Sequence, residues 1–384
     1  MKINYAKQSL EGLWVGDCIG NLGQLYYCHD ILKALEKGMA KYGGMLDQFQ
    51  NQFQYSDDTE EGIVLYNHFI TNKGKINQDK LAMEFATRYM TRDPDGEIYG
   101  YGLNTRKVLK DIYEGKPWKE ANKFIPRGEG IASHIDKLVE GLSDGKGFHE
   151  TMEGVNTEIK KLNEGIKNQV RQGSCGNGSA MRIAPLGAYY GSQFSEDPYV
   201  CIIPPEQVAE QSKLSAEPTH DHPEGVAGAI ATALASYFLL AKPNIIDILD
   251  YWSDSFNDDG YTKDDIGKVF LEYVIKYTPD SEVKNGLRKA QSIPYDIPVG
   301  KVIQVLGNGT HVTCQDTVPF CCYMVSKALC RVPRAEMYEK AIIETSMGFG
   351  DVDTNCAIVG GIISTVSPAP EKWIKFCQPM EGVL

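Results

Sequence analysis

Gly12, Gly16 and Gly20 recur at every fourth position near the start of the chain. Residues four apart share one face of an α-helix. This spacing therefore lines one side of a helix with positions that lack a side chain. Each glycine costs about 1 kcal/mol of helix propensity, and in return lets another backbone come close. Leu10, Leu13 and Ile19 mark the apolar face of the same segment. Helical periodicity continues through residues 59–70, 180–190, 225–241, 265–276, 318–330, 336–346 and 355–364. Strand signals are short, the best being residues 301–305. The pattern predicts an all-α chain folded as one compact helical bundle.

Composition narrows what such a bundle can do. Of 384 residues, 42% are apolar, enough for a substantial core. The formal net charge is −12 and the pI about 5.2. A broad nucleic-acid-binding face would be basic, so no nucleic-acid partner is expected. A local anion pocket stays open to the chain, because backbone N–H groups bind phosphate without net positive charge. Met1 to Tyr5 is followed by no long apolar stretch of a secretory leader. The run 225–241 includes Thr232 and Ser236 and falls short of a membrane span, so it reads as a buried helix and no membrane partner is expected. The 10 cysteines form no Cys-x-x-Cys pair. They suit neither a zinc framework nor a disulfide scaffold and read as free thiols in a reducing cytosol, which makes a cytoplasmic location the expectation. Residues 90–102 carry Pro94, Gly96, Gly100 and Gly102 and read as a loop. Residues 141–176 are polar and Gly-rich and read as a mobile insertion with one helix at 151–168. No repeat or linker divides the chain, so residues 1–384 form a single domain.

Four short constellations carry chemistry. Ser56-Asp57-Asp58-Thr59-Glu60-Glu61 precedes an apolar-periodic run, and Gly350-Asp351-Val352-Asp353-Thr354-Asn355 opens another. Alone, each reads as a helix N-cap with acidic residues suited to the dipole. Together they offer carboxylate and hydroxyl oxygens, a hard ligand set for Mg²⁺ or Mn²⁺. Adjacent carboxylates are costly without a cation, and four aspartates from two helix ends would hold two metals. Gly173-Ser174-Cys175-Gly176-Asn177-Gly178-Ser179 runs into a helix. It reads either as a plain loop or as a phosphate cradle; it is neither a Walker loop nor a Rossmann turn. Thr219-His220-Asp221-His222 contains His-x-His without a third ligand nearby, so histidines satisfied by local hydrogen bonds are expected.

In this order, these segments resemble the ADP-ribosylglycohydrolase family. The stretch Gly12 to Gly20 looks like its first helix, and Ser56-Asp57-Asp58-Thr59 like its first metal motif. Gly176-Asn177-Gly178-Ser179-Ala180-Met181-Arg182 resembles its phosphate loop, and Thr219-His220 the next block. Leu306-Gly307-Asn308-Gly309 through Pro319, and Gly350 to Thr354 with Ile358-Val359-Gly360-Gly361, complete the match. Any one motif is weak; six in order, from about Leu10 to Trp373, are specific.

The resemblance implies a mostly helical fold with two divalent metal ions, Mg²⁺ first and Mn²⁺ second, at the base of a cleft. It implies Ser56, Asp57, Asp58, Asp351, Asp353 and Thr354 as metal ligands. Ser174, Cys175, Gly176 and Asn177 would hold a diphosphate, and Gly100 and Gly102 would approach the ribose with His220 nearby. The expected reaction is hydrolysis of the glycosidic bond between ADP-ribose and an acceptor, on an ADP-ribosylated protein or a small ADP-ribosyl compound. Asp57 or Asp58 would take the proton of the attacking water. Many relatives carry an acidic residue soon after the Gly-Asp motif, and those cutting O-linked ADP-ribose use a Glu there. Here Asn21-Leu22-Gly23-Gln24-Leu25 has none, and Gln24 is neither acid nor base. An N-linked substrate such as ADP-ribosyl-arginine is therefore expected. The competing readings are an N-ribosyl hydrolase of a free nucleoside or nucleotide sugar, a non-catalytic ADP-ribose-binding homologue, and a two-metal phosphohydrolase.

Overall fold

A computed structural model describes residues 4–26, 53–123, 173–194, 201–242 and 263–384. Most of the stretch expected to form an insertion, 141–176, lies outside these residues. Among the described residues every regular element is helical, and β-pairing is confined to isolated bridges. In chain order the helices are α1 (Tyr5–Tyr26), α2 (Asp57–Thr71), α3 (Gln78–Arg92), α4 (Leu103–Tyr113), α5 (Trp118–Ala121), α6 (Gly178–Met181), α7 (Ala184–Gly191) and α8 (Pro205–Ala216). They continue as α9 (Pro223–Ala241), α10 (Lys263–Tyr277), α11 (Glu282–Gln291), α12 (Val299–Leu306), α13 (Cys314–Arg331), α14 (Met337–Ser346), α15 (Val352–Ile363) and α16 (Glu371–Ile374).

The glycine row of α1 meets α15. A Cβ on Gly12 would fall on Ser364 and the Gly360 carbonyl, one on Gly16 on the Cys356 carbonyl, and one on Gly20 on Val352 and Asp353. As α1 advances the contacts on α15 recede, so the two helices run antiparallel at backbone contact. The Tyr338 hydroxyl donates to the Gly12 carbonyl at 2.6 Å, and Ser9 Oγ to the Gly361 carbonyl at 2.6 Å. This register brings the middle of α1 beside the start of α15. The apolar helix α9 is buried along most of its length and packs against α7, α8 and α13. At the far end, Phe53 pairs with the segment after α16 through Phe53 N–H to the Phe376 carbonyl (2.9 Å) and Gln378 N–H to the Phe53 carbonyl (2.8 Å). That pairing fixes the approach to α2.

Two expectations change. Residues 301–305 are helical, inside α12. Val302 and Leu306, four apart, are buried while Lys301 and Val305 are exposed, so the period is 3.6 and not 2. The helix stops at Gly307, whose φ of +81° suits glycine. The expected helix 180–190 is broken between α6 and α7. Pro185 lacks the N–H that would continue the ladder. The kink turns Arg182 inward, where it is fully buried.

Candidate functional site

α2 and α15 begin at the same place. Ser56 caps α2 as expected: its backbone is extended and its Oγ accepts from the Asp58 N–H at 3.2 Å. Asp351 stands at the matching position of α15 and makes no such cap. Its Oδ2 accepts from Asn177 Nδ2 at 2.6 Å instead. Capping thus accounts for the first acidic motif in part and leaves the second unexplained.

Asp17 of α1 stands between them, fully buried. Its carboxylate accepts from the Ser56 N–H at 2.9 Å, the Thr59 N–H at 3.1 Å and the Thr59 hydroxyl at 2.5 Å. Burial still dominates and pushes the Asp17 carboxyl up to about 6, against the pull of those bonds. Asp58 Oδ2 accepts from Ser56 Oγ at 2.7 Å and Thr354 Oγ1 at 3.3 Å. Asp58 Oδ1 is buried without a hydrogen-bond partner. Asp17, Asp58 and Asp353 each offer an oxygen, all within 4.8 Å of one another.

Burial raises the carboxyls of Asp57, Asp58 and Asp353 well above the usual range. Neighbouring carboxylates add to it: Asp58 on Asp57, Asp17 on Asp58, Asp351 on Asp353. Among the described residues no Lys or Arg pairs with Asp17, Asp57 or Asp58. Carboxylates held this close in low dielectric are costly unless neutralised. The donors are all oxygen, carboxylate with the Ser56 and Thr354 hydroxyls at the edge, and so fit a hard divalent cation. The orphaned Asp58 Oδ1 is the atom that such an ion would satisfy.

Asp57 is half-buried and faces the loop 93–102. Its N–H donates to the Tyr99 carbonyl at 2.7 Å, and a Cβ on Gly100 would stand 3.9 Å from its Oδ1. Gly100, at φ +80°, and Gly102, the N-cap of α4, are both exposed. Asp93 holds this loop by accepting from the N–H groups of Glu97, Ile98 and Tyr99.

The Gly-rich turn differs in part from a simple cradle. Gly176 N–H donates to Ser174 Oγ at 3.0 Å and Asn177 N–H to the Val312 carbonyl at 3.2 Å, so two of its donors are already engaged. The Asn177 side chain leaves the turn and binds Asp351 and, at 3.1 Å, Thr317 Oγ1. It thereby ties the turn to the carboxylates. Cys175 lies on the turn, and its carbonyl accepts from the Cys314 N–H at 2.9 Å. His220 is buried under the turn, with Nε2 3.3 Å from where a Gly176 Cβ would be. His220 and His222 part company. His222 caps α9 by accepting from the Glu224 N–H at 3.1 Å, and His220 Nδ1 meets Thr219 Oγ1 at 2.8 Å. Local hydrogen bonds engage His222 and the Nδ1 of His220, as expected, while His220 Nε2 faces the turn.

Sequence reasoning did not single out Asp17, Glu61 or Arg182. The available signal was an Asp on the apolar side of a glycine-lined helix, between Gly16 and Gly20. Glu61 and Arg182, fully buried, pair at 2.5 Å, and the guanidinium lies 4.2 Å over the Phe85 ring.

Comparison with known proteins agrees with this layout. The family model described as ADP-ribosylglycohydrolase matches residues 2–379. The chain is similar to proteins named ADP-ribosylhydrolase ARH3. The mouse protein is 23% identical over 395 residues, covering 97% of this chain and 87% of the relative. The human protein is 23% identical over 394 residues (97% and 88%), and the bovine one 25% over 389 (97% and 88%). With an all-helical fold and an acidic cluster at two helix starts, the chain belongs to the ADP-ribosylglycohydrolase family of glycosidic hydrolases.

Proposed function

We propose that this protein hydrolyses the bond between the ribose of ADP-ribose and a nitrogen of its acceptor, ADP-ribosyl-arginine in a protein or small compound being the model substrate, and that it needs divalent metal ions to do so. The observation that carries the reading is the Asp17–Asp58–Asp353 cluster, the first two buried and the third half-buried, with its unpartnered Asp58 Oδ1. Ser56, Asp57, Asp58, Asp351, Asp353 and Thr354 would hold two such ions, with Asp17 as a seventh contributor. Mg²⁺ suits the oxygen donors best and Mn²⁺ is the alternative. When bound, the ions supply neutralising charge and polarise substrate oxygens.

This chain's own residues do the rest. Asp57, the half-buried carboxylate beside Gly100, accepts the proton of a water attacking the anomeric carbon. Gly100 and Gly102 let the ribose approach without a side chain in the way. The turn Ser174 to Asn177, backed by His220, receives the diphosphate. Asn177, bonded to Asp351, keeps diphosphate and ribose ends in fixed register.

The nitrogen linkage follows from the leaving group. Guanidine departs protonated and needs little help. An alkoxide needs an acid, and the stretch Asn21-Leu22-Gly23-Gln24-Leu25 contains none. Of the acids on the loop that could substitute, Asp93 is committed to three backbone N–H groups, which leaves the exposed Asp95 and Glu97. Matched arginine- and serine-linked peptides, incubated with Mg²⁺ or Mn²⁺ and followed by mass spectrometry, test both parts. ADP-ribose is the expected product, released faster from arginine. Release of phosphate or of free nucleobase overturns the reaction; faster cleavage of the serine peptide overturns the acceptor.

A further inference from the structure

Behind the Gly176–Gly178 turn, a file of buried polar groups runs from α2 to His220. Arg182 Nη1 donates to Glu61 Oε2 at 2.5 Å. Its Nη2 donates to the Ser215 carbonyl at 3.1 Å and to Thr219 Oγ1 at 2.9 Å. Thr219 Oγ1 in turn lies 2.8 Å from His220 Nδ1. The far edge of the imidazole faces the turn. A Cβ on Gly178 would stand 2.8 Å from Nε2, and only glycine lets the ring come that close.

This file decides where the imidazole keeps its proton. Arginine only donates, so Thr219 Oγ1 accepts from Nη2. The hydroxyl has a single proton to give. Among the described residues its one remaining partner is His220 Nδ1. The Thr219 proton goes there, which makes Nδ1 an acceptor and leaves the ring hydrogen on Nε2. The opposite tautomer would strand a buried hydroxyl proton without an acceptor. An imidazolium would do the same, since both its nitrogens donate. Burial, with the Arg182 charge close by, also pushes the His220 imidazole down to about 3, so the ring is neutral. Glu61 completes the file: without it, Arg182 would be a buried charge with no counter-ion.

We propose that Glu61, Arg182 and Thr219 are positioning residues that lock His220 as the Nε2–H tautomer, so that it serves as a fixed neutral hydrogen-bond donor to an oxygen of the diphosphate-ribose seated at the Gly176–Gly178 turn. The ligand's identity rests on the function proposed above; the tautomer does not.

The test is ¹⁵N NMR of histidine-labelled protein, with the His220 signals identified by their loss in His220→Gln. Wild type is expected to show an unprotonated Nδ1 and a protonated Nε2. Thr219→Val keeps the shape and removes the hydroxyl proton. Its His220 spectrum should move toward the other tautomer, and its Kd for ADP-ribose should rise about tenfold, the fold-change of one hydrogen bond. Thr219→Ser should restore both. A wild-type Nδ1–H spectrum overturns the wiring even if no variant folds, and so does an unchanged His220 spectrum in Thr219→Val. Failure of wild type to bind ADP-ribose overturns the proposed function and the ligand named here, by a separate measurement.

Discussion

Four acidic residues open α2 within five positions, and they meet two fates. Glu60 accepts from Arg88 and Arg92 and from the Tyr55 hydroxyl. Glu61 pairs with Arg182. Asp57 and Asp58, on the same turn, face other carboxylates from α1 and α15. Helix and charge are shared, and three of the four acids are fully buried. What differs is the source of the cation. Among the described residues guanidinium reaches both glutamates and neither of these two aspartates, which leaves the aspartates able to take a cation from solution. One turn of helix is therefore half ion-paired scaffold and half uncompensated carboxylate.

The largest effect should come from removing an aspartate. Asp58→Ala or Asp353→Ala should abolish turnover with the helical circular dichroism intact. Isothermal titration should show divalent affinity falling by more than the roughly 10–100-fold typical of losing an outer partner. Unchanged binding in both variants would erase the contrast. On the glutamate side the loss should appear as stability. Glu61→Gln leaves Arg182 buried without its counter-ion and should cost about 3–5 kcal/mol in urea denaturation. Its divalent affinity should change far less than that of Asp58→Ala; the reverse ranking would show that the two halves are not separate.

Gly16→Ala probes the geometry without touching an acid. The added methyl lands on the Cys356 carbonyl and forces α1 away from α15. Overpacking of this kind costs about 1–3 kcal/mol. It should also weaken divalent binding, because Asp17 and Asp353 ride on the two helices; a stability loss with full metal affinity would contradict that coupling. The smallest effect concerns pH. In chelator-treated protein, Asp17 titrates near 6 when folded, against about 3.9 unfolded. Between these values the folded state binds more protons, so stability should rise as pH falls through 6 and level off near 4, by an amount on the order of 1–3 kcal/mol. Saturating Mg²⁺ should suppress the rise. Stability that is flat or falling over that window without metal would mean that the carboxylates are not strained.

What was legible in the sequence follows the range of the interactions. Helices with a continuous apolar stripe, such as α9 and α13, announce themselves locally. α3, α8 and α11 were not singled out, although Leu81, Phe85 and Tyr89 in α3 and Val283, Leu287 and Ala290 in α11 keep helical spacing; in α8 two of the buried positions are serines, which hides the stripe. Residues 301–305 resemble a strand because Val and Ile crowd a short run whose period only its neighbours reveal. In the site, paired acids beside hydroxyls at two helix starts were visible. Asp17 was not, since a single acid on an apolar face acquires meaning only when α2 packs against it, about forty residues away. The same holds for Asn177. Its place in the Gly-rich turn was apparent, but its bond to Asp351 spans 174 positions and leaves no local trace.

The backbone contact between α1 and α15 also has a bearing on synthesis. Ser9 and Gly361, bonded across that contact, stand 352 positions apart. At roughly 5–20 residues per second, a ribosome that has made α1 needs on the order of 20–70 s to deliver its partner. Through that interval the bare glycine face has no native surface to bury against, although Leu10 and Leu13 can already meet Gly62 of α2 and Asp17 can meet Asp58. The nascent chain therefore carries a bare glycine face that must be shielded by other means, and the acidic cluster is completed only once α15 has been made. A chain that stops before Asp351 contains nearly all of the helices and the Asp17–Asp58 half of the cluster, but not Asp353.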